Sequence, residues 1–582
     1  MMASLLLLTP LWPLLLILIT WLGRWTGYSL QPYSLLWLTA PLPGLLLALL
    51  SDGDPANTHL KLDWLLLGSL WWLDEVRQVF LLLTSLLWLL AGVYARGYMK
   101  ASGSFALLWL LTLSGNLLLI VAEDVASFYL GFALMTFCGY GLVIHSRSDE
   151  ALSAGRVYII LAVLGEGLML AGLLGTASQA AAPQMSQLGS VLASAEQPGW
   201  LLTCLLLGFG VKAGLPFLHV WLPLAHPVAP TPASAVLSGA MIKAGLLGWW
   251  LTLPLGVASL PQAGQLLTAA GLLGALGAAV IGVMQHRAKS VLAYSSISQM
   301  GMMTALLGAG LADHHLWPLL VPALLLFVAH HGLNKGCLFL AIGIVERQNP
   351  LPRPLLWLLL LLPALALTGV LGSGLMTKWE AKSGLYELHY THLIVWLTLA
   401  AGGTGLLMLR YLWLLQQQLQ QTSEKQPLSP WMLSSWLLLL PLGLLVPWWL
   451  PLPDQAHLLW PDWQNFMQLA LPLPIACLLG VIFWWLTTRH FTGWSQRAIP
   501  AGDLLGIYCW LLCRIQAPWA SIRQGFITLQ QALLNHLQRL QKLGGWLQQI
   551  TDREVLLRRE AALIFTFLLV VLAGVFLFGS TG

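Results

Sequence analysis

The chain has 582 residues, 58% of them hydrophobic and only 8% charged, with a formal net charge of +5. Soluble proteins carry roughly 25% charged residues, so these numbers leave too few charges to solvate a globule of this size. They exclude a string of soluble domains, a disordered chain, a collagen and a disulfide-stapled secreted module, and leave an all-α polytopic membrane protein.

Charge-poor runs of about 18–25 residues predict about 16 transmembrane helices. In chain order these are 4–22, 33–50, 78–95, 103–122, 125–144, 157–177, 200–223, 233–257, 263–284, 290–311, 316–345, 354–380, 391–415, 430–450, 465–487 and 561–580. The first run lacks a basic start and a small-residue cleavage site, so it reads as a retained helix rather than a signal peptide. The long apolar run 228–285 is split by the turn signal Pro261-Gln262-Ala263-Gly264.

The connecting loops alternate in charge. Arg96 with Lys100, Arg147 with Arg156, Arg287 with Lys289, Arg347 with Arg353, Arg410 with Lys425 and Arg489 with Arg497 fall in every second loop. Intervening loops carry Glu123-Asp124, Glu196, Asp313, Asp454 and Asp462. The basic loops are therefore assigned to the cytoplasm, which places both termini on the outer face of a cell inner (cytoplasmic) membrane. One stretch does not span. Trp519, Ile522, Phe526, Leu529, Leu533, Leu537 and Leu540 form a helical stripe opposite Arg523, Gln531, Gln538, Arg539, Gln541 and Lys542. This predicts an amphipathic helix of roughly 48 Å lying along the cytoplasmic surface, unless Gly544-Gly545 interrupts it.

Motifs for soluble chemistry are absent. Six scattered cysteines form no CxxC or CxxCH, which argues against iron–sulfur or haem ligation. There is no P-loop, no HExxH and no GxGxxG in a strand–helix context. Tandem His314-His315 lies in an outer loop and reads as solvated. No cofactor, metal, catalytic residue or nucleic-acid partner is expected; the basic residues are spread over short loops.

The informative residues are lysines inside the membrane: Lys212, Lys243, Lys335 and Lys378. An ionised side chain costs roughly 2.5–3.5 kcal/mol at the bilayer centre on insertion scales. A structural ion pair could explain one such lysine; four on separate helices point to a proton relay. Lys212 is followed by Pro216, which removes a backbone hydrogen bond and opens the helix. Gly369, Gly372 and Gly374 precede Lys378 in a second long span, so both lysines sit beside a helix break of the kind that forms transporter ion sites. His331 and Lys335 are four apart and share a face, whereas His330 points roughly 100° away and is as well suited to packing as to relay. Lys243 has no carboxylate within a turn. Glu166, in Leu164-Gly165-Glu166-Gly167, is the only carboxylate deep inside a span. It needs a cation or a proton, and Lys212 on the next span is the candidate partner.

From Lys212 to Lys243 the chain reads VKAGLPFLHVWLPLAHPVAPTPASAVLSGAMIK. The spacing of Lys212, Pro216, His219, Trp221, Pro223, His226, Pro230-Thr231-Pro232 and Lys243 resembles the signature of the antiporter-like subunits shared by respiratory complex I, multi-subunit sodium/proton antiporters and membrane-bound hydrogenases such as formate hydrogenlyase. YARGYM at 94–99, RAKSVLAYSSISQMG at 287–301, HHGLNKGCLFL at 330–340 and SGLMTKWE at 373–380 extend the resemblance over roughly 70–415. The resemblance implies two inverted five-helix repeats with broken helices. The division is then 1–102, N-terminal helices and an outer loop; 103–257 and 258–415, the two repeats; 416–500, additional spans; 501–556, a lateral helix; and 557–582, a terminal anchor.

By position, the resemblance makes Lys212 and Lys378 the broken-helix lysines of the two halves, with Lys378 exchanging protons with the outer face. Lys243, His331 and Lys335 form the link, and His330, His219, His226 and Glu380 are secondary candidates. Three positions depart from the family pattern. Its usual glutamate partner for Lys212 should fall at Ala133, in FALMTFCGYG; a second histidine is replaced by Phe327; and glycines, Gly372 and Gly374 among them, stand where many relatives have proline. The expected function is proton translocation as one membrane subunit of a complex I-like or membrane hydrogenase-like assembly. The chain would not be catalytic alone, with any NADH:quinone oxidoreductase-like or hydrogenase-like chemistry in its partners. The alternatives are a Na+/H+ antiporter module without redox partners and the membrane partner of an energy-coupled inorganic-carbon uptake system.

Overall fold

The computed structural model describes residues 1–25, 34–66, 68–99, 102–179, 184–195, 198–348, 350–420, 426–452, 460–489, 501–502 and 504–506. The expected amphipathic helix at 519–550 and the last expected span, 561–580, lie outside these residues. The described helices and strands belong to one unit, Met1–Leu504.

The described chain is helical apart from one small hairpin. Helix α1 (Met2–Trp25) precedes the hairpin of β1 (His59–Leu62) and β2 (Ser69–Trp72). Then follow α2 (Glu75–Tyr98), α3 (Gly103–Val121), α4 (Val125–Val143) and α5 (Asp149–Ala177). The first half continues with α6 (Pro198–Ala213), α7 (Trp221–Val228), α8 (Thr231–Val236) and α9 (Lys243–Thr252). The second half holds α10 (Pro261–Val283), α11 (Ala288–Ala312), α12 (Trp317–Val345), α13 (Arg353–Thr368), α14 (Gly372–Glu387) and α15 (Thr391–Gln420). Beyond it lie α16 (Pro430–Leu444), α17 (Val446–Trp449), α18 (Trp463–Ala470) and α19 (Pro472–Arg489).

Among the described residues, 11 helices are long and apolar enough to cross a membrane, and Leu35–Leu50, Pro198–Ala213 and Pro430–Leu444 are shorter apolar ones. Helix starts follow local capping chemistry. The Asp74 and Asp124 carboxylates accept from Arg77 N and Ser127 N, and the Ser148 hydroxyl accepts from Ala151 N, each using a donor that the first turn leaves unpaired. Sequence neighbours pack as antiparallel pairs, α3 on α4, α5 on α6 and α10 on α11. Helix α12 is enclosed on every side. That enclosure is what a helix carrying His330, His331, Asn334 and Lys335 requires, because ionisable groups facing lipid are costly.

The helix breaks fall where the sequence places them. Helix α6 stops at Ala213, Gly214 turns with φ +79° and Phe217 with φ +68°, and the chain resumes at α7 beyond Pro216. Helix α13 stops at Thr368, capped by Gly369 at φ +84°, and α14 begins at Gly372 at φ +55°. A third irregularity precedes Lys243, where Leu237–Met241 winds as a π-helix. The hairpin occupies a stretch that the sequence presents only as an outer loop. Its register pairs His59 with Trp72 and Leu62 with Ser69, and it is fastened to the α3–α4 turn through Leu70 N to Asp124 Oδ2 at 2.9 Å and Glu123 N to Leu70 O at 2.8 Å.

Candidate functional site

Lys212 lies in the last turn of α6, and the break after it leaves room for side chains from three other elements. Its Nζ donates to Thr136 Oγ1 of α4 at 3.1 Å and lies 3.4 Å from the Tyr158 hydroxyl of α5. Three rings surround it, with centroids at 5.8 Å for Phe132, 5.6 Å for Tyr158 and 5.7 Å for Trp221. The Trp221 indole is held by donating to Val211 O at 2.8 Å. The negative ring faces attract an ammonium without a fixed charge.

Glu166 faces the same enclosure. Phe132, Thr136, Tyr158, Glu166, Lys212 and Trp221 line one cavity with about 20 Å³ of room for the centre of a water molecule, enough for one water. Both Glu166 oxygens are buried beside Thr136 without closing a hydrogen bond of normal geometry, and no direct ion pair joins Glu166 to Lys212. The expected partnership is thus a shared cavity with the lysine as Glu166's charged neighbour. Ala133 is buried and contributes no polar side-chain atom.

Each remaining lysine rests on a main-chain carbonyl. Lys243 Nζ donates to Ser238 O at 2.8 Å, an oxygen within the π-helix. Lys335 Nζ donates to Leu292 O of α11 at 2.9 Å. Lys378 Nζ donates to Thr368 O at 2.5 Å, one of the carbonyls left without a helical partner where α13 ends. Gly369 makes that contact possible: a Cβ added there would lie 2.2 Å from Lys378 Cδ. Lys243 and Lys335 are fully buried; Lys378 is half-buried.

The π-helix and α12 cross closely. A Cβ added at Gly239 would lie 2.7 Å from Gly332 O, and one at Gly332 would lie 2.6 Å from Gly239 O. This contact lays the π-helix against α12. His331, next to Gly332, has Lys243, Lys335 and His330 as its ionisable neighbours, and neither of its ring nitrogens has a protein hydrogen-bond partner. His330 is bound instead: its Nδ1 is 2.7 Å from Ser373 Oγ in the first turn of α14. His330 thus meets α14 at Ser373, while Lys243 is a charged neighbour of both histidines.

Among the secondary candidates, His226 is buried, stacks on Phe339 at 4.6 Å, and has Lys289 and Lys335 as charged neighbours. His219 packs edge-on against Tyr294 at 6.4 Å. Glu380 is half-buried on α14. Pro216 lies in the first break; Gly372 and Gly374 form the start of α14. Sequence reasoning missed Phe132, Thr136 and Tyr158, which are ordinary helix residues until α4 and α5 meet at Lys212. It also left Lys289 in a loop, whereas its Nζ donates to Ala229 O at 2.7 Å, an oxygen just before the Pro230 break. Among the described residues no cluster of His, Cys, Asp and Glu could hold a metal.

Residues 122–402 match the family described as NADH:quinone oxidoreductase/Mrp antiporter, TM. Hydrogenase-4 component B of Escherichia coli (strain K12) is 27% identical over 344 residues, 54% of this chain and 51% of that protein. A Hydrogenase-4 component F homolog of Methylacidiphilum infernorum is 30% identical over 306 residues, 48% of this chain and 62% of that one. Na(+)/H(+) antiporter subunit A1 of Staphylococcus aureus (strain Newman) is 29% identical over 339 residues, 54% of this chain and 42% of its own. The chain spans about half the length of the curated relatives it matches. In fold it resembles a chain of the Mrp complex from Dietzia sp. DQ12-45-1b, with a TM-score of 0.64 at 18% identity, covering 83% of this chain and 99% of that one. A chain of an archaeal membrane-bound sulfane sulfur reductase gives 0.63 at 20% identity, covering 82% and 99%.

Proposed function

We propose that this chain, an antiporter-like membrane protein over residues 122–402, conducts protons across the membrane as one subunit of a larger complex. The observation that carries this reading is how the buried lysines are held. Among the described residues, none of Lys212, Lys243, Lys335 and Lys378 closes an ion pair with a carboxylate; carbonyls, hydroxyls and ring faces hold them instead. A carbonyl accepts from a neutral amine as well as from an ammonium, though more weakly, so the side chain keeps a partner when its proton leaves. A tight carboxylate pair would resist that loss.

The route runs from Glu166 and Lys212 through Lys243 and His331 to Lys335, and from His330 to Lys378. The basic loops lie in the cytoplasm and Lys378 exchanges with the opposite side. Lys289 and His226 offer Lys335 a path from the basic-loop face. The repeats at 103–257 and 258–415 supply one broken helix each. Redox chemistry, where the assembly performs any, resides in partner subunits. Sodium/proton exchange is the second reading, favoured by similarity to a protein named Na(+)/H(+) antiporter subunit A1. The test is pH-gradient formation in inverted membrane vesicles containing the assembled complex, with Lys212→Ala and Lys378→Ala. Both variants insert normally and lose the gradient; unchanged gradients in both overturn the relay, and an absolute requirement for Na+ favours the exchange reading.

A further inference from the structure

A helix outside the family-matched segment reaches into the second half of the chain of buried groups. Helix α16 ends at Leu444, and the residue four beyond Gly443 is Pro447. Proline has no N–H, so the Gly443 carbonyl cannot receive the i to i+4 bond that would otherwise continue the helix. That oxygen accepts instead from Ser373 Oγ at 2.6 Å and from Asn334 Nδ2 at 3.0 Å. Ser373 opens α14, the broken helix carrying Lys378; Asn334 lies one turn from His330 on α12.

The proton inventory of this cluster fixes its direction. A hydroxyl has one proton, and a carbonyl can only accept, so the Ser373 proton lies toward Gly443 O. Ser373 Oγ is then an acceptor toward His330 Nδ1 at 2.7 Å, and Nδ1 must bear hydrogen. The Asn334 amide agrees. Its two N–H groups go to His330 O at 2.8 Å and to Gly443 O, leaving none for Nδ1 at 3.1 Å. Flipping that amide would set its oxygen against two carbonyl oxygens. We infer that Pro447, by freeing the Gly443 carbonyl, orders the chain His330 Nδ1–H to Ser373 to Gly443 O, and so holds the neutral His330 with Nε2 as its one proton-accepting nitrogen.

Pro447, Gly443 and Ser373 are thus positioning residues for His330. The inference deepens the proton-path reading and rests on it for its functional meaning, but the tautomer itself does not. With alanine at 447, an N–H competes for the Gly443 carbonyl. Ser373 is then free to turn its proton toward Nδ1, and the other tautomer gains population by roughly two- to tenfold, the worth of one hydrogen bond.

The experiment is ¹⁵N magnetic resonance of the full chain in lipid, labelled at histidine, recorded at alkaline pH where imidazole is neutral. The His330 signals are those lost in His330→Gln. Protonated Nδ1 and bare Nε2 are expected in the wild type and in Ser373→Thr. Signal for protonated Nε2 is expected to appear in Pro447→Ala and in Ser373→Ala. A wild-type ring protonated only at Nε2 overturns the assignment. A tautomer unchanged in both Pro447→Ala and Ser373→Ala overturns the role given to the freed carbonyl. The vesicle assay on the same variants separates the two readings. The expected tautomer in a complex that moves no protons removes the proton path and leaves this inference standing; the opposite tautomer in a transporting complex does the reverse.

Discussion

Lys212 and Glu166 line one cavity that has room for a single water, and no direct ion pair joins them. A pair at contact would lock both charges, whereas a pair linked through water can tighten or loosen with small side-chain movements. Glu166→Gln is expected to slow proton translocation by at least roughly tenfold, a change of about 1.4 kcal/mol. Adding Ala133→Glu to that variant places a carboxylate on α4 next to the Phe132 cage position and is expected to restore transport. Full activity in Glu166→Gln alone removes the carboxylate from the mechanism.

The three rings around Lys212 predict a graded response. A ring face contributes about 0.5–2 kcal/mol to holding a desolvated cation, so Phe132→Leu is expected to slow transport roughly two- to thirtyfold. Phe132→Tyr, which keeps the ring, is expected to be near wild type. Trp221→Phe keeps a ring but loses the bond to Val211 O, and should fall between. Equal rates across the three variants would show that the cage is packing only.

Membrane class and, among the described residues, helix positions and both helix breaks were legible in the sequence, because apolar length, loop charge and Gly or Pro placement act locally. So were the lysines, whose cost in a bilayer marks them wherever they sit. What surrounds them was not legible. Thr136 and Tyr158 are 22 residues apart and meet only because α4 packs on α5, where the Tyr158 hydroxyl also donates to Thr136 O at 3.1 Å. Helical spacing separates His331, on the face of Lys335, from His330, but it does not show that His330 meets Ser373 of α14 or that Gly332 crosses Gly239 beside His331. Glu123 reads as a solvated loop acid. It is instead fully buried against Arg77, a pairing that depends on how the α3–α4 turn seats against α2.

The slot for Lys378 is a second place where one atom matters. Gly369 adopts φ +84° and its missing Cβ is where the Lys378 stem runs. Gly369→Ala therefore strains the backbone and displaces the amine from Thr368 O. Transport is expected to fall close to the level of Lys378→Ala, with the protein still inserted and extractable as a complex. Retention of more than about half the wild-type rate, a loss of under roughly 0.4 kcal/mol, would mean that the amine does not use this slot.

The last prediction concerns the buried pair at the hairpin end. Arg77 donates to Asp74 Oδ2 at 2.7 Å and to Glu123 Oε2 at 2.5 Å, and Ser186 Oγ donates to Glu123 Oε1 at 2.5 Å. Removing one member of a buried pair leaves an uncompensated charge and costs about 3–5 kcal/mol, whereas replacing both by apolar groups is often near neutral. Arg77→Met is thus expected to lower the melting temperature sharply, and Arg77→Met with Glu123→Leu to recover most of the loss. Glu123 also sets a pH dependence. Burial lifts its carboxyl above the ordinary value of 4.5, and the pull of Arg77 and Ser186 offsets this only in part. Between 4.5 and the raised folded value the native state binds more protons than the unfolded state, so stability falls as pH rises through that window. Glu123→Gln carries no such titration. Melting of the detergent-solubilised protein should show the wild type losing ground to Glu123→Gln as pH is raised from about 4 toward neutrality. A wild type that gains on the glutamine variant over the same interval would mean that Arg77 outweighs burial and holds the carboxylate ionised from the start.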